Sequence, residues 1–165
     1  MAEPAGAAAP DGCLLEAPSG WHRAIRAWRH ESEEIERLGD RIADSKTRAT
    51  IRGYGQSYLD QSEAAFAGAV HSSDFVSDLA WLALDFERVG ARRQAAVVLS
   101  RYRDLAAAAY PLSLLDFYVG YHAIARARLS VLRRGAPRAD DPEVRRMVEI
   151  AVRHLRRAAR AAAPA

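Results

Sequence analysis

Lys46-Thr47, with Gly39 upstream, is the nearest approach in this sequence to a phosphate-binding loop. Such a loop needs G-x-x-x-x-G-K-[ST], because its glycines let backbone amides reach the phosphates and its lysine meets the terminal ones. Here Gly39 stands seven residues before the lysine instead of six, and Ser45 takes the place of the second glycine. The segment reads as helix interior, so Lys46 is expected to be a solvated helix residue. Gly53-x-Gly55 lacks the third glycine of a nucleotide fingerprint. Among His22, His30, His71, His122 and His154 no two are three to five residues apart, so a zinc site would need distant helices. Glu33-Glu34 beside His30 reads as an exposed helix face. His71-Ser72-Ser73-Asp74 holds the residue types of a nucleophilic triad, but consecutive residues cannot take its geometry, and a helix N-cap accounts for them. No catalytic set, metal site or cofactor site is expected from these residues.

The elements that would carry these groups are helices. Residues 1–20 (MAEPAGAAAPDGCLLEAPSG) show no period and read as a mobile leader, with Leu14-Leu15 able to dock on the body. A single helical domain follows over 21–163. Ile25, Trp28, Ile35 and Leu38 recur at helical spacing, and Gly39-Asp40 makes a break. A longer stretch from 40 to 70 carries Ile42, Ile51, Tyr54, Tyr58, Leu59 and Phe66, with a bend expected at Gly53-x-Gly55. Ser73 or Asp74 caps the next helix, whose Phe75, Leu79, Leu82 and Phe86 mark one face, and Gly90 ends it. Further helices are expected over 91–109, with Val97, Val98, Leu99, Tyr102 and Leu105, and over 111–134, opened by Pro111. Asp140-Asp141-Pro142-Glu143 starts the last, combining an Asp cap, a proline and first-turn acid. The last helix turns Val144, Met147, Val148, Ala151 and Leu155 inward. The fold class predicted is all-α, a bundle of five or six antiparallel helices.

Composition agrees. The length of 165 residues suits one domain with a real core. Strand formers are sparse, alanine is abundant, and only 8% of residues are aromatic. The core must therefore rest on Trp81, Phe86, Phe117, Tyr118, Tyr121 and the leucines. The net charge of +3 comes from 24 basic and 21 acidic residues intermixed along the chain, and Lys46 is the only lysine. Arg145, Arg146, Arg153, Arg156, Arg157 and Arg160 form the one basic concentration, diluted by Glu143 and Glu149. Without interleaved aromatics it reads as a solvated face, and nucleic acid is not expected as a partner. Cys13 alone excludes an internal disulfide and fits a cytoplasmic protein. No signal peptide and no membrane span are read.

Residues 73–160 resemble a known family. Ser77-Asp78-Leu79-Ala80-Trp81-Leu82-Ala83-Leu84-Asp85-Phe86-Glu87, followed by Gly90, is similar to the "D-L-A-F-L-A-M-D-L-E … G" helix of bacterial proteins that fuse an aminoglycoside-phosphotransferase-like domain to an ATP-binding P-loop kinase domain. Leu99-Ser100-Arg101-Tyr102 resembles that family's "F-L-x-x-Y". Leu114-Leu115-Asp116-Phe117-Tyr118 and Tyr121-His122-Ala123-Ile124-Ala125-Arg126-Ala127 are similar to its "L-x-x-F-Y-x-x-Y-R-A-x-V-R-A-K". Ala151-x-x-His154-Leu155 resembles the helix closing its first domain, and Tyr58-Leu59-Asp60 to Phe66 the helix before its catalytic loop.

The departures decide what the resemblance implies. Val70-His71-Ser72-Ser73-Asp74 stands where the family holds a catalytic "H-G-D" loop and a "D-C-x-E-F" strand. The nucleotide lobe and the P-loop domain are also missing from the sequence. Phosphoryl transfer rests on positioning and on charge neutralisation by lysine, magnesium and its acids. The implied protein is thus a shortened, non-catalytic helical C-lobe, acting as a protein-binding module or persisting as a remnant. Leu79, Leu82, Phe86, Phe117, Tyr118 and Tyr121 would be core. Asp78 would cap or brace a helix start, and Arg126 would pair with an acid such as Asp85 or Glu87. Apolar surface once covered by the missing lobe predicts a protein partner or a homodimer. Two rival readings are a substrate-binding half of a phosphotransferase completed by another chain, and a helical-hairpin scaffold, against which the lack of a second repeat argues.

Overall fold

A computed structural model describes residues 20–63, 66, 73–106, 110–133 and 140–163. The expected leader, apart from Gly20, and His71-Ser72 lie outside the described residues. Among the described residues there are six α-helices: α1 (Gly20–Leu38), α2 (Ser45–Gln61), α3 (Ser73–Arg88), α4 (Arg92–Ala106), α5 (Leu112–Arg133) and α6 (Pro142–Ala162). Among the described residues there is no strand. The all-α bundle expected from the pattern is the architecture observed.

Helix boundaries follow local chemistry. The stretch expected as one helix over 40–70 is divided. A 3-10 turn at Gly39–Arg41 precedes α2, which starts behind Asp44 and ends at Gln61. The Asp44 carboxylate accepts from the Thr47 N–H at 2.9 Å and from Thr47 Oγ1 at 2.7 Å, a complete N-cap. Gly90, at φ +80, closes α3 with paired bonds: its N–H donates to the Glu87 carbonyl at 3.0 Å, and the Ala91 N–H donates to that of Phe86 at 2.8 Å. That is the Schellman pattern, in which the left-handed residue favours glycine. Asp141 caps α6, its Oδ1 accepting from the Glu143 N–H at 2.8 Å, with Pro142 in the first turn.

The core centres on α5. Leu114, Phe117, Ala123, Ile124, Ala127 and Val131 are all buried, so the helix has apolar residues around most of its circumference. Phe117 stacks on Tyr58 at 5.0 Å and meets Trp28 at 5.8 Å and Phe66 at 6.3 Å between ring centroids. These four rings, instead of the set anticipated around Trp81 and Phe86, form the aromatic centre. Trp81, Tyr118 and Tyr121 are half-buried at its edge. α5 and α6 run antiparallel, with Gly120 beside Leu155 and Arg126 near Glu143. A Cβ on Gly120 would lie 2.6 Å from Leu155 Cγ, so the glycine permits this approach. Gly55 does the same for α1, since its Cβ would fall 2.0 Å from the Trp28 ring. Gly53 and Gly55 thus lie within α2, and Gly55 serves interhelical contact.

Candidate functional site

The inward face of α3 is rotated from the one its large apolar residues suggest. Val76, Leu79, Ala80, Leu84 and Glu87 are buried, whereas Leu82 is 40% exposed and Phe86 is only half-buried. Leu82 is therefore not core, and Phe86 lies off the main cluster. Polar contacts account for the rotation: the observed setting brings Ser77 to His122 and Glu87 to His154. A buried polar group without a partner costs about 1–3 kcal/mol, comparable to what one exposed leucine forgoes.

Glu87 is the hub of a buried polar cluster. It is 7% exposed and joins α3 to α4 and α6. Its Oε1 accepts from Arg153 at 2.5 Å and pairs with Arg92 Nε at 2.6 Å, and its Oε2 lies 2.8 Å from His154 Nε2. The other His154 nitrogen, Nδ1, lies 2.5 Å from Asp116 Oδ1 on α5. Burial pushes the Glu87 carboxyl up, but His154, Arg153 and Arg92 together hold it down at about 2. Burial opposes a proton on His154, yet the two carboxylates raise its pKa above the usual value. A cavity of about 210 Å³ adjoins the cluster, walled partly by Ala83, Ala95, Leu99 and Val119.

Chemically the cluster is closed. A general acid or base must present a ring nitrogen to the reacting group. Both His154 nitrogens instead face carboxylates of the protein. The arrangement ties four helices together, one residue or more from each.

His122 gives the second cluster. It is buried, stacks on Trp81 at 4.4 Å, and places Nε2 2.9 Å from Ser77 Oγ. Burial lowers its pKa to about 4, against a hydrogen bond to the Ser77 backbone that favours the proton. A serine beside a neutral histidine resembles a nucleophile and its base, but Ser77 sits inside α3, where helical hydrogen bonding occupies the neighbouring amides that an oxyanion would need. The pair links α3 to α5.

The remaining sequence candidates are placed as follows. Arg126 donates to Asp85 at 2.9 Å, the pairing anticipated for it. Asp78 is exposed and, among the described residues, makes no hydrogen bond or ion pair, so it neither caps nor braces the helix start. Leu79 and Phe117 are core, and Tyr118 and Tyr121 pack against it. Lys46 is exposed in the first turn of α2, not its interior. The Asp44 carboxylate occupies the helix end where a phosphate would otherwise sit. The six C-terminal arginines are mostly outward, but Arg153 is drawn to Glu87. Among the described residues no group of three His, Cys, Asp or Glu side chains is placed to hold a metal, and no helix is long and apolar enough to cross a membrane.

Sequence reasoning missed Glu87, Asp116 and His154 as one cluster, and also Glu31. Glu31 is 1% exposed, and Arg128 Nε donates to it at 2.9 Å. The available signal was position: Glu31 lies three residues after Trp28 and four before Ile35, on the apolar stripe of α1.

The fold and these clusters define an all-α bundle in which the buried acids Glu31 and Glu87 are each paired with cationic side chains. Uncharacterized proteins of Mycobacterium tuberculosis (strains H37Rv and CDC 1551) and Mycobacterium bovis are each 36% identical to this chain over 87 residues. The match covers 52% of this chain and 17% of each relative, so it spans about a sixth of their length. No family model matches the chain, and no solved structure matches it.

Proposed function

We propose that this chain is a non-catalytic helical module that acts by docking an acidic amphipathic helix of a protein partner on α4. The observation that carries this reading is the outer face of α4. Val97 is 69% exposed, Leu105 72%, and Val98 and Tyr102 lie beside them at 38% each. Val98, Tyr102 and Leu105, spaced 4 and 3 residues apart, share one helical stripe, with Val97 on its flank. On its inner side α4 buries only Ala95 fully among its described side chains, with Leu99 half-buried. The charge on the helix specifies the partner: four arginines stand against the single Asp104. Arg92 is held by Glu87 and Arg103 lies over the Tyr110 ring, whereas Arg93 and Arg101 are exposed and make no ion pair among the described residues. A second copy fits less well. Antiparallel pairing that set Val97 on Leu105 would set Arg101 against its own copy.

The test uses a labelled helical peptide with leucines at i, i+3, i+4 and i+7 and glutamates on the flanks, titrated into the full chain. Saturable binding is expected, abolished in the Val97→Ser/Leu105→Ser protein and absent for a lysine-flanked peptide. No binding, or binding indifferent to those substitutions, contradicts the reading.

A second reading has an observation of its own. The mycobacterial relatives are far longer than the matched stretch. A helical part that belongs to a larger machine, including the substrate-binding half of a phosphotransferase completed by another chain, fits that length difference and the resemblance of residues 73–160. Phosphoryl transfer appearing only when a second protein is mixed in would favour it.

A further inference from the structure

Away from the α4 face, a cleft of about 460 Å³ opens between α3, α5 and the first turn of α6. Its walls are Trp81 and Arg88 from α3, Arg126, Leu129, Ser130 and Arg133 from α5, and Glu143 from α6. Its three guanidinium groups are not equivalent. Arg126 is neutralised by Asp85 at 2.9 Å, with Glu143 at 4.0 Å. Arg88 Nε is shielded from solvent without a hydrogen-bond acceptor, its nearest carboxylate oxygen, on Asp85, standing at 3.6 Å. Arg133 is exposed and makes no ion pair among the described residues. Arg88 shares Asp85 with Arg126, so three guanidiniums line the cavity against the two carboxylates of Asp85 and Glu143.

Helix dipoles explain part of this. Arg88 and Arg133 each lie in the last turn of a helix, where the carbonyl end favours a cation. That accounts for the sign of the charge at each end. It does not account for an orphaned Nε, nor for both side chains lining a volume suited to a small ligand. A guanidinium offers a planar fork of donors that matches phosphate oxygens in pairs. A phosphomonoester carries about −1.5 to −2 at neutral pH, a charge that Arg133, unpaired among the described residues, and the loosely paired Arg88 together would balance. Trp81 and Leu129 add an apolar wall.

We propose that this cleft binds a phosphomonoester of small size, its phosphate held by Arg88 and Arg133 and its organic body lying along Trp81 and Leu129. Asp85 and Glu143 keep Arg126 turned aside, so the site selects one phosphate and not a polyanion.

Phenyl phosphate titrated into the full ¹⁵N-labelled chain tests this. The Arg88 and Arg133 Nε–H signals and the Trp81 indole signal are expected to shift together and saturate. Arg133→Gln, at an exposed position, should keep the far-UV circular dichroism of the native protein and weaken binding about tenfold, the loss of one charge-assisted contact. Arg88→Gln should do the same. Inorganic phosphate, which lacks a body for Trp81, should bind more weakly than phenyl phosphate. Shifts that never saturate, or equal affinity in Arg133→Gln and the unaltered protein, overturn the site. Equal affinity for the two phosphates overturns the part given to Trp81.

Discussion

Glu87 and His154 face each other at 2.8 Å across the junction of α3 and α6, and both side chains are largely shielded from solvent. The pair makes stability depend on pH from both sides. Glu87, held down at about 2, contributes stability that is present above its unfolded value of 4.5 and lost as pH falls toward 2. His154, raised above 6.5, contributes stability that is full below 6.5 and lost as pH climbs through its folded value. Asp116, Arg92 and Arg153 face the same cluster. Denaturant unfolding at a series of pH values should show a maximum between 4.5 and 6.5. Glu87→Gln should cost about 3 kcal/mol near pH 6 and flatten the acid limb, because it leaves Arg92, Arg153 and His154 with Asp116 as their one remaining carboxylate in the cluster. An unchanged acid limb in that variant contradicts the assignment.

The two glycines of α2 should behave in opposite ways. Gly55→Ala drives a methyl into the Trp28 ring and should destabilise by about 1–3 kcal/mol. Gly53 is exposed, and a Cβ there meets nothing within 4 Å, so Gly53→Ala should stabilise by about 0.5–1 kcal/mol through helix propensity alone. Adding Trp28→Leu to Gly55→Ala should give a loss smaller than the sum of the two single losses. Thermal or urea melts of the four proteins check the pattern.

Arg128 is the counter-ion of buried Glu31, so Arg128→Met leaves a carboxylate stranded in the core. The expected loss at neutral pH is about 3 kcal/mol. Burial already raises the Glu31 pKa. The defect should therefore shrink as pH falls through that raised value and the carboxyl takes up a proton. A loss independent of pH would mean that packing of the arginine stem matters more than its charge.

Val97→Ser/Leu105→Ser should leave stability within about 0.5 kcal/mol of the original for each exposed site, since neither side chain is covered. Comparing the two melts separates a docking surface from a structural one. A marked drop would show that α4 depends on these residues for its own folding.

Much of the fold was legible because its signals are local. Gly90, Asp141-Pro142 and the α6 stripe from Val144 to Leu155 act through neighbours in sequence, and each appears where the pattern placed it. The inward face of α3 was not legible, because Leu82 and Phe86 are larger than Val76 and Ala80 but lack polar partners across the bundle. The Arg126–Asp85 pair was anticipated from the likeness of residues 73–160 to a known helical segment, not from spacing. The Glu87–His154–Asp116 cluster joins residues 29 and 38 positions apart in the chain, and only tertiary packing brings them together. Asp78 shows the converse: a motif-like residue that the fold leaves in solvent.

The proposal of a non-catalytic module implies that this chain transfers no phosphoryl group by itself. The most direct measurement is phosphate release and transfer from γ-labelled magnesium-ATP by the full chain. The account predicts a rate equal to that of the protein-free control. Turnover above that control, lost on Asp78→Asn, would contradict it and place a working site at the exposed start of α3.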